Sequence, residues 1–316
     1  MNGMMYLIRR FILLITTIIL VSIITFGVFQ ILPGDPIRTM LGTEADATQI
    51  ENLRSELGLD RPLYEQYSDW VKGLLTGELG NSIRFSMPVK DLLFDRLPVT
   101  ISLAGLTLCI VLIVSIPLGM FAARRQNKLS DVSLSTVTQI GMAVPSFWLG
   151  MMLILYVGMR FDVFKISGYI PWTESVSGAL STLVLPALTI AIPQIAVNFR
   201  YVRTAVLEQM QLDYVRTIRS KGMSEQNVMY KHVLKNSMIP ILTVFGLIMA
   251  EVVAGTIIVE QVFSLPGVGQ LLITAISNRD FPLVQGIVIY ITVAVVTINF
   301  IVDILYSVLD PRIRLR

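Results

Sequence analysis

The chain has 316 residues, of which 54% are hydrophobic and only 15% are charged, whereas soluble globular chains average about 25% charged residues. A mean hydropathy of +0.70, with the charges clustered between long apolar runs, excludes an ordinary soluble domain and is typical of a polytopic membrane protein. At a net charge of +3, the basic residues inform topology rather than nucleic-acid binding, and we expect no nucleic-acid partner.

Six apolar runs reach the length of about 20 residues that is needed to cross a bilayer. The first follows a basic pair but is too long for a signal-peptide core of about 7–15 residues, so we expect it to be retained as a helix. Pro186 and Pro193 are expected to break the fourth run. In chain order the runs are residues 11–32, 99–123, 132–159, 180–199, 237–259 and 283–309.

The segment between the first two runs, residues 33–98, combines aromatic residues with charges of both signs. Its stretch "ATQIENLRSELGL", residues 47–59, has helical spacing of apolar residues, and Gly58 can end that helix. We therefore predict three parts: the first helix in residues 1–32, a small external subdomain in 33–98, and a five-helix core in 99–316.

Basic residues indicate how the chain is oriented. With the N-terminus inside, the inner segments hold 15 Arg or Lys residues and the two short outer loops hold 3. Positive charge favours the cytoplasmic side in short loops. Both termini and residues 200–236 are thus predicted to be cytoplasmic.

One cytoplasmic stretch, "DYVRTIRSKGMSEQNVMYKHVLKN" from Asp213 to Asn236, carries five Arg or Lys residues against two acids; we call it the basic elbow. Lys221 and Gly222 fit the end of one helix. Ser224 as N-cap and Glu225 in the first turn fit the start of the next. The residues alone leave two interpretations open, namely a loop resting on anionic lipid headgroups or an element that docks on a soluble partner.

The spans contain two acids, Glu251 and Asp303. An ionised acid in mid-bilayer costs about 2.5–3.5 kcal/mol or more, so Glu251 is expected to face protein or water, either with a structural role, in a local hydrogen bond or as a protonated side chain, or as an acidic group lining a pathway. For Asp303 we favour a structural hydrogen bond. A stripe of small residues beside Glu251 predicts close helix packing: Gly246, Ala250 and Ala254.

Catalytic and metal-binding patterns are missing from the sequence. It has one cysteine, Cys109, and one histidine, His232, too few for an internal disulfide, a histidine-based metal site or a Ser-His-Asp triad. It lacks a Gly-Lys dipeptide, and so a Walker A loop, as well as HExxH and GxSxG. We predict neither a catalytic nor a metal site in this chain.

A series of motifs along the whole chain resembles the permease subunits of dipeptide, oligopeptide and nickel ATP-binding-cassette importers. In order they are "LPGDP" (32–36), "LGLDRPLYEQYSDW" (57–70), "GELGNS" (77–82), "AVPSFWLG" (143–150), "VRTIRSKG" (215–222), "HVLKN" (232–236), "VEQVFSLPGVGQLL" (259–272), "RDFPLVQG" (279–286) and "VDILYSVLDPRIR" (302–314).

This resemblance implies an all-α, type I importer-like permease with six transmembrane helices in a bacterial or archaeal plasma membrane. It implies a homologous second permease, two nucleotide-binding ATPase subunits that bind ATP and Mg²⁺, an extracellular or periplasmic substrate-binding protein and contact with membrane lipid as partners, and no cofactor in this chain. Coupling to an ATPase subunit is implied for the elbow residues Arg216, Arg219, Lys221, Gly222, Met223, Ser224 and Glu225.

The generic importer pattern around Gly222 is only partly present, because Arg216-Thr217-Ile218 stands where the family has Glu-Ala-Ala. The chain is thus expected to be a non-enzymatic permease that forms half of a pathway for peptides or a related small substrate. Dipeptide, oligopeptide, glutathione, nickel and metallophore substrates all remain open. The alternatives are a proton-coupled secondary transporter using Glu251 and Asp303, which normally shows inverted repeats, and an intramembrane hydrolase.

Overall fold

The structure, a computed structural model, describes residues 3–31, 46–56, 58 and 60–309. Apart from one isolated bridge between Asn81 and Pro88, the regular elements in these residues are helices. They are α1 (Gly3–Ile31), α2 (Ala47–Glu56), α3 (Leu63–Thr76), α4 (Val89–Arg124), α5 (Leu129–Ala143), α6 (Ser146–Gly158), α7 (Val176–Met210), α8 (Asp213–Ser220), α9 (Glu225–Val262), α10 (Val268–Ser277) and α11 (Phe281–Leu309).

Five of the described helices, α1, α4, α7, α9 and α11, are long and apolar enough to cross a membrane. The bent pair α5 and α6 brings the number to six if the two helices form one span. This architecture agrees with the predicted all-α polytopic fold.

The third apolar run is not one straight helix, because α5 and α6 meet at an angle of 101°. Val144 is extended, with ψ of 123°, and Pro145 leads into α6 with φ of −63°. A proline has no backbone N–H and disfavours helical geometry in the residue before it. The helix therefore breaks at this pair.

The fourth apolar run behaves in the opposite way, and the prediction that its prolines break it is wrong. α7 continues through Pro186 and Pro193 from Val176 to Met210. It packs against α5, α6 and α9 and buries much of its middle part. Packed neighbours tolerate a proline in a membrane helix because they hold the backbone in place despite the lost hydrogen bond.

The described chain divides into two compact units. The first comprises the described parts of Met1–Arg10, Thr100–Leu265 and Ile298–Arg316, and the second comprises those of Phe11–Val99 and Pro266–Thr297. The first unit has an apolar core formed by α4, α7, α8 and α9. The core of the second unit joins the start of α4 to α10 and α11.

The helix predicted at residues 47–59 is confirmed as α2, which ends just before Gly58 at a φ of +66°. In the same unit, α3 lies against α1, where Tyr67 and Trp70 contact the Phe26 ring and the Tyr67 hydroxyl is 2.8 Å from that of Ser22. The predicted boundaries at residues 32 and 98 stay a prediction. The "LPGDP" motif, Leu57 and the tail from residue 310 lie outside the described residues.

Candidate functional site

The basic elbow is built as two helices joined at a glycine, as the sequence predicted. α8 ends at Ser220, and Gly222 follows with a φ of +78°, its N–H donating to the Arg219 carbonyl at 2.9 Å. This left-handed conformation suits glycine because a Cβ would crowd the backbone. Ser224 occupies the N-cap position of α9, but its hydroxyl makes no capping hydrogen bond, contrary to our expectation of a side-chain cap.

An ion pair bridges the two sides of the glycine. Arg219 donates from Nε to Oε1 of Glu225 at 2.7 Å and from Nη2 to Oε2 at 3.3 Å. This bidentate geometry is the most directional contact available to an arginine and a carboxylate. The other elbow pair, Arg216 with Asp213, is longer at 3.6 Å and more exposed. The Arg219–Glu225 contact is therefore the better-defined of the two elbow ion pairs.

The inner face of the elbow is anchored in an apolar core. Val215 of α8 and Val228, Met229 and Val233 of α9 are buried there. They pack in one cluster with side chains from α4 and α7, namely Met120, Ala123, Val202, Ala205 and Val206. Because protein cores are close-packed and resist compression, a displacement of the elbow would be transmitted to α4 and α7.

The tip of the elbow, residues 221–227, is exposed. It presents the Lys221 charge beside Met223, whose side chain is 38% exposed. Behind the tip, residues Val228–Val233 form a π-helical turn that leads into the long part of α9. The elbow therefore has an exposed tip and a base that is packed in the apolar core.

Asp131 and Arg203 form an ion pair around a buried carboxylate, which the sequence did not predict. Asp131, 2% exposed at the start of α5, accepts hydrogen bonds from Nε and Nη2 of Arg203 on α7 at 2.6 and 2.7 Å. It also accepts the backbone N–H of Asn127 at 2.9 Å. The pair attaches the turn between α4 and α5 to α7. An acid in the first turn of a predicted helix was the feature of the sequence that could have indicated Asp131, but no sequence pattern indicated Arg203 as its partner.

The two membrane acids have different partners. Glu251 on α9 accepts a hydrogen bond from Nε2 of Gln194 on α7 at 3.2 Å, while Asp303 on α11 pairs with Arg10 of α1 at 3.2 Å. Gly246, the first residue of the small-residue stripe, lies so close to Val302 of α11 that any Cβ there would collide with it. This part of the stripe packs within the chain, and the role of Glu251 stays a prediction.

Two further buried acids lie inside the quoted motifs, although the sequence analysis did not single them out. Glu260 accepts a hydrogen bond from the Thr100 hydroxyl at 2.6 Å. Asp280 accepts hydrogen bonds from the Ser82 hydroxyl and from the backbone N–H groups of the two residues after Ser82. It also accepts the backbone N–H of Leu283 at 3.3 Å. Its position just before α11 was a recognisable N-cap signal.

Comparison with known proteins decides the family. The family described as "Binding-protein-dependent transport system inner membrane component" matches residues 115–315. The family of the N-terminal region of these membrane components matches residues 3–104. This chain belongs to the binding-protein-dependent transport permeases. Members of the family are the membrane components of ATP-driven importers, so the chain is a permease subunit and not a catalytic one.

Relatives match this permease over nearly its whole length. A Brucella abortus (strain 2308) protein, provisionally named as a peptide transport system permease, is 40% identical over 300 residues, covering 95% of this chain and 96% of its own. AppB, the oligopeptide transport system permease of Bacillus subtilis (strain 168), is 34% identical, and DppB, the dipeptide transport system permease of Escherichia coli (strain K12), is 33% identical; each alignment covers 98% of both chains.

One solved structure supports the fold. It is a crystal structure of an amino acid ABC transporter with histidines, and it matches 69% of this permease and 94% of its own chain with a TM-score of 0.50 at 18% identity. The family matches and the full-length relatives confirm the resemblance drawn from the motifs at the level of the family. The proton-coupled alternative, which relied on Glu251 and Asp303, gains no support from these relatives.

Proposed function

We propose that this permease imports peptides, and that its basic elbow receives the mechanical input from an ATPase subunit. The observation that carries the substrate class is the full-length similarity to peptide permeases at 33–40% identity. Nickel and metallophore cargo remain alternatives that the motifs alone left open. The choice between dipeptides and longer peptides is an outcome of the transport test.

The geometry of the elbow supports docking rather than a resting place on lipid. A lipid-surface loop needs basic residues near the headgroups, but it needs no fixed angle between its helices. Here Gly222 adopts the left-handed conformation of the turn, the bidentate Arg219–Glu225 pair bridges it, and the base is anchored in a core. A projection whose base is already packed suits insertion into a cleft of a soluble partner because less entropy is lost on binding.

The mechanism we infer is alternating access. A substrate-binding protein delivers the peptide from outside to a pathway formed with a second, homologous permease. Two ATPase subunits, which hold ATP and Mg²⁺, move the elbows as they close. Those movements pass through α9 into α4 and α7, which share the elbow's core. The membrane is then the plasma membrane, with both termini and the elbow on the cytoplasmic side.

The test of transport uses the purified complex in proteoliposomes with its binding protein. Labelled dipeptides and pentapeptides, and a nickel chelate, are supplied outside with ATP enclosed. We expect uptake of peptides that requires ATP hydrolysis and the binding protein. Uptake of the nickel chelate with no uptake of either peptide would refute the proposed substrate class.

The orientation is tested separately by cysteine labelling. In a Cys109→Ser background, a cysteine is introduced at Asp60 or at Ser224, two exposed positions. An impermeant reagent added outside intact cells is expected to label the Asp60→Cys variant and to leave Ser224→Cys unlabelled until the cells are opened. The reverse pattern would overturn the orientation.

A further inference from the structure

Glu251 stands out among the charged groups of the membrane spans. It and Asp303 are the two Asp, Glu, Lys or Arg residues within the six apolar runs. Asp303 is paired with the cationic Arg10. Glu251, by contrast, has the neutral amide of Gln194 as its hydrogen-bonding partner in the described chain, and its side chain is exposed.

The surroundings of Glu251 are the seam between α9 and α7. One helical turn further along α9, a Cβ on Gly255 would lie 3.4 Å from Ile190 of α7, so the two helices approach closely there. At Glu251, Gln194 of α7 reaches across to α9 and donates to the carboxylate at 3.2 Å. The carboxylate therefore lies at the edge of a helix–helix contact, held in place on one side and accessible on the other.

Hydrogen-bond acceptors outnumber donors at this point. The Oε1 atom of Gln194 is enclosed and has no donor among the described residues. Pro193, next to it, has no N–H, so the Thr189 carbonyl four residues earlier loses its helical donor. Together with the two oxygens of Glu251, these groups make this part of α7 and α9 rich in hydrogen-bond acceptors.

Physical chemistry restricts what can lie against Glu251. A carboxylate on a membrane-spanning helix is strongly disfavoured against hydrocarbon, so we expect its exposed side to face water or a polar group from outside the chain. An ammonium group, with three N–H donors and a positive charge, complements an anionic, acceptor-rich site. A permease that carries a hydrophilic cargo across the bilayer must also expose polar groups of its spans along the route.

We propose that Glu251, oriented by Gln194, is the counter-ion for the protonated amino group of a peptide as it crosses the membrane part of the pathway. This inference rests on the proposed function of peptide import. Glu251 would contact the cargo directly. Gln194 is a positioning residue, because it acts by holding the carboxylate.

The first test compares a peptide that has a free amino terminus with its N-acetylated form, in proteoliposomes that contain the whole importer and its binding protein. Each uptake rate is normalised to the measured affinity of the binding protein for that peptide. Glu251→Gln keeps the shape of the side chain and removes the charge. Uptake of the free peptide is expected to fall about tenfold or more, as for loss of a charge-assisted hydrogen bond, while that of the acetylated peptide changes less than about twofold.

Matched variants separate the charge from general damage. Glu251→Asp should restore part of the preference for the free amino terminus, and Gln194→Ala should weaken that preference less than Glu251→Gln does. Leu247→Gln places the same polar side chain on the same helix one turn earlier, at a position that is 62% exposed. It should leave the preference unchanged.

The second test reports on the site even if the acetylated peptide is not carried. Ala254→Cys, on the exposed side of α9 next to Glu251, is introduced into a Cys109→Ser background. Cationic and anionic thiosulfonate reagents of similar size are then compared. We expect the cationic reagent to react several-fold faster, the difference to disappear with Glu251→Gln, and a free amino-terminal peptide to slow the labelling.

The outcomes distinguish the inference from the proposed function. If the wild-type importer carries peptides and Glu251→Gln keeps the same preference and labelling ratio, the inference is overturned and peptide import stands. If the introduced cysteine reacts only with a membrane-permeant reagent or crosslinks to the second permease, Glu251 lies at a subunit interface and the inference is also overturned. If the wild-type importer carries no peptide, both fail.

Discussion

Substitution of Gly222 by valine separates the fold of the elbow from its role. The backbone there has a φ of +78°, and a Cβ would meet nothing within 4 Å. The cost is therefore strain in the local backbone rather than a clash with other residues, about 1–3 kcal/mol for a branched residue in the left-handed region. The side chains of Arg219 and Glu225 are 36% and 49% exposed, so their ion pair contributes at most about 1 kcal/mol to the stability of the turn. The ion pair is therefore too weak to offset the strain that valine introduces into the turn.

We expect Gly222→Val to change the angle of the elbow while the membrane spans stay folded, because the core residues at its base are untouched. The complex is purified with its ATPase subunits and reconstituted in proteoliposomes. ATP hydrolysis and peptide uptake are measured on the same preparation. The expected result is weaker ATPase association, or hydrolysis that no longer drives uptake. Gly222→Asn should retain most of the coupling because asparagine tolerates this conformation.

Gly77 provides a matched control. It has a φ of +82° at the end of α3, and a Cβ there would also meet nothing within 4 Å. Gly77→Val thus introduces a similar strain outside the elbow, and it should lower thermal stability comparably without separating hydrolysis from uptake. Wild-type assembly and wild-type coupled uptake in Gly222→Val would refute the role of the elbow, and an equal loss of coupling in Gly77→Val would attribute the effect to instability.

Other contacts lead to further predictions. Asp131→Asn removes the charge of the buried carboxylate that pairs with Arg203, whose side chain is 25% exposed, and should lower the unfolding free energy by about 1–3 kcal/mol, whereas adding Arg203→Met should recover part of the loss; equal thermal stability of the single variant and wild type would contradict this. Gly246→Ala should destabilise the fold by about 1–3 kcal/mol through overpacking, and Val302→Ala should restore thermal stability only if that contact is the cause. Asp280→Asn weakens the cap of α11 and should cost about 1–2 kcal/mol; unchanged protection of the Leu283 amide from hydrogen exchange would disprove it.

Much of this protein could be read from residue type and spacing. Apolar runs of bilayer length predicted the long helices, because a membrane leaves a buried backbone few alternatives to a helix. Gly222 between two helix-forming stretches predicted the elbow, since one position needed a conformation that other residues rarely adopt. In both cases the determinant is local, and the structure agrees with it.

Partners across the fold were decided only by the tertiary structure. Asp131 and Arg203 are 72 residues apart, and Ser82 and Asp280 are 198 apart; no local pattern relates such residues, because their proximity depends on how whole helices pack. The same holds for Gln194, which donates a hydrogen bond to Glu251 although the two are 57 residues apart in sequence.

Three prolines show most clearly what the sequence determines and what the tertiary structure decides. The sequence has the same helix-breaking residue at Pro145, Pro186 and Pro193, and each removes one backbone donor. At Pro145 the chain turns by 101° between α5 and α6, while α7 continues through the other two. α7 is packed along its middle part against three neighbouring helices, which hold its backbone in helical geometry where the donor is missing. The sequence by itself therefore determined where a helix is weakened, and tertiary packing decided whether it breaks.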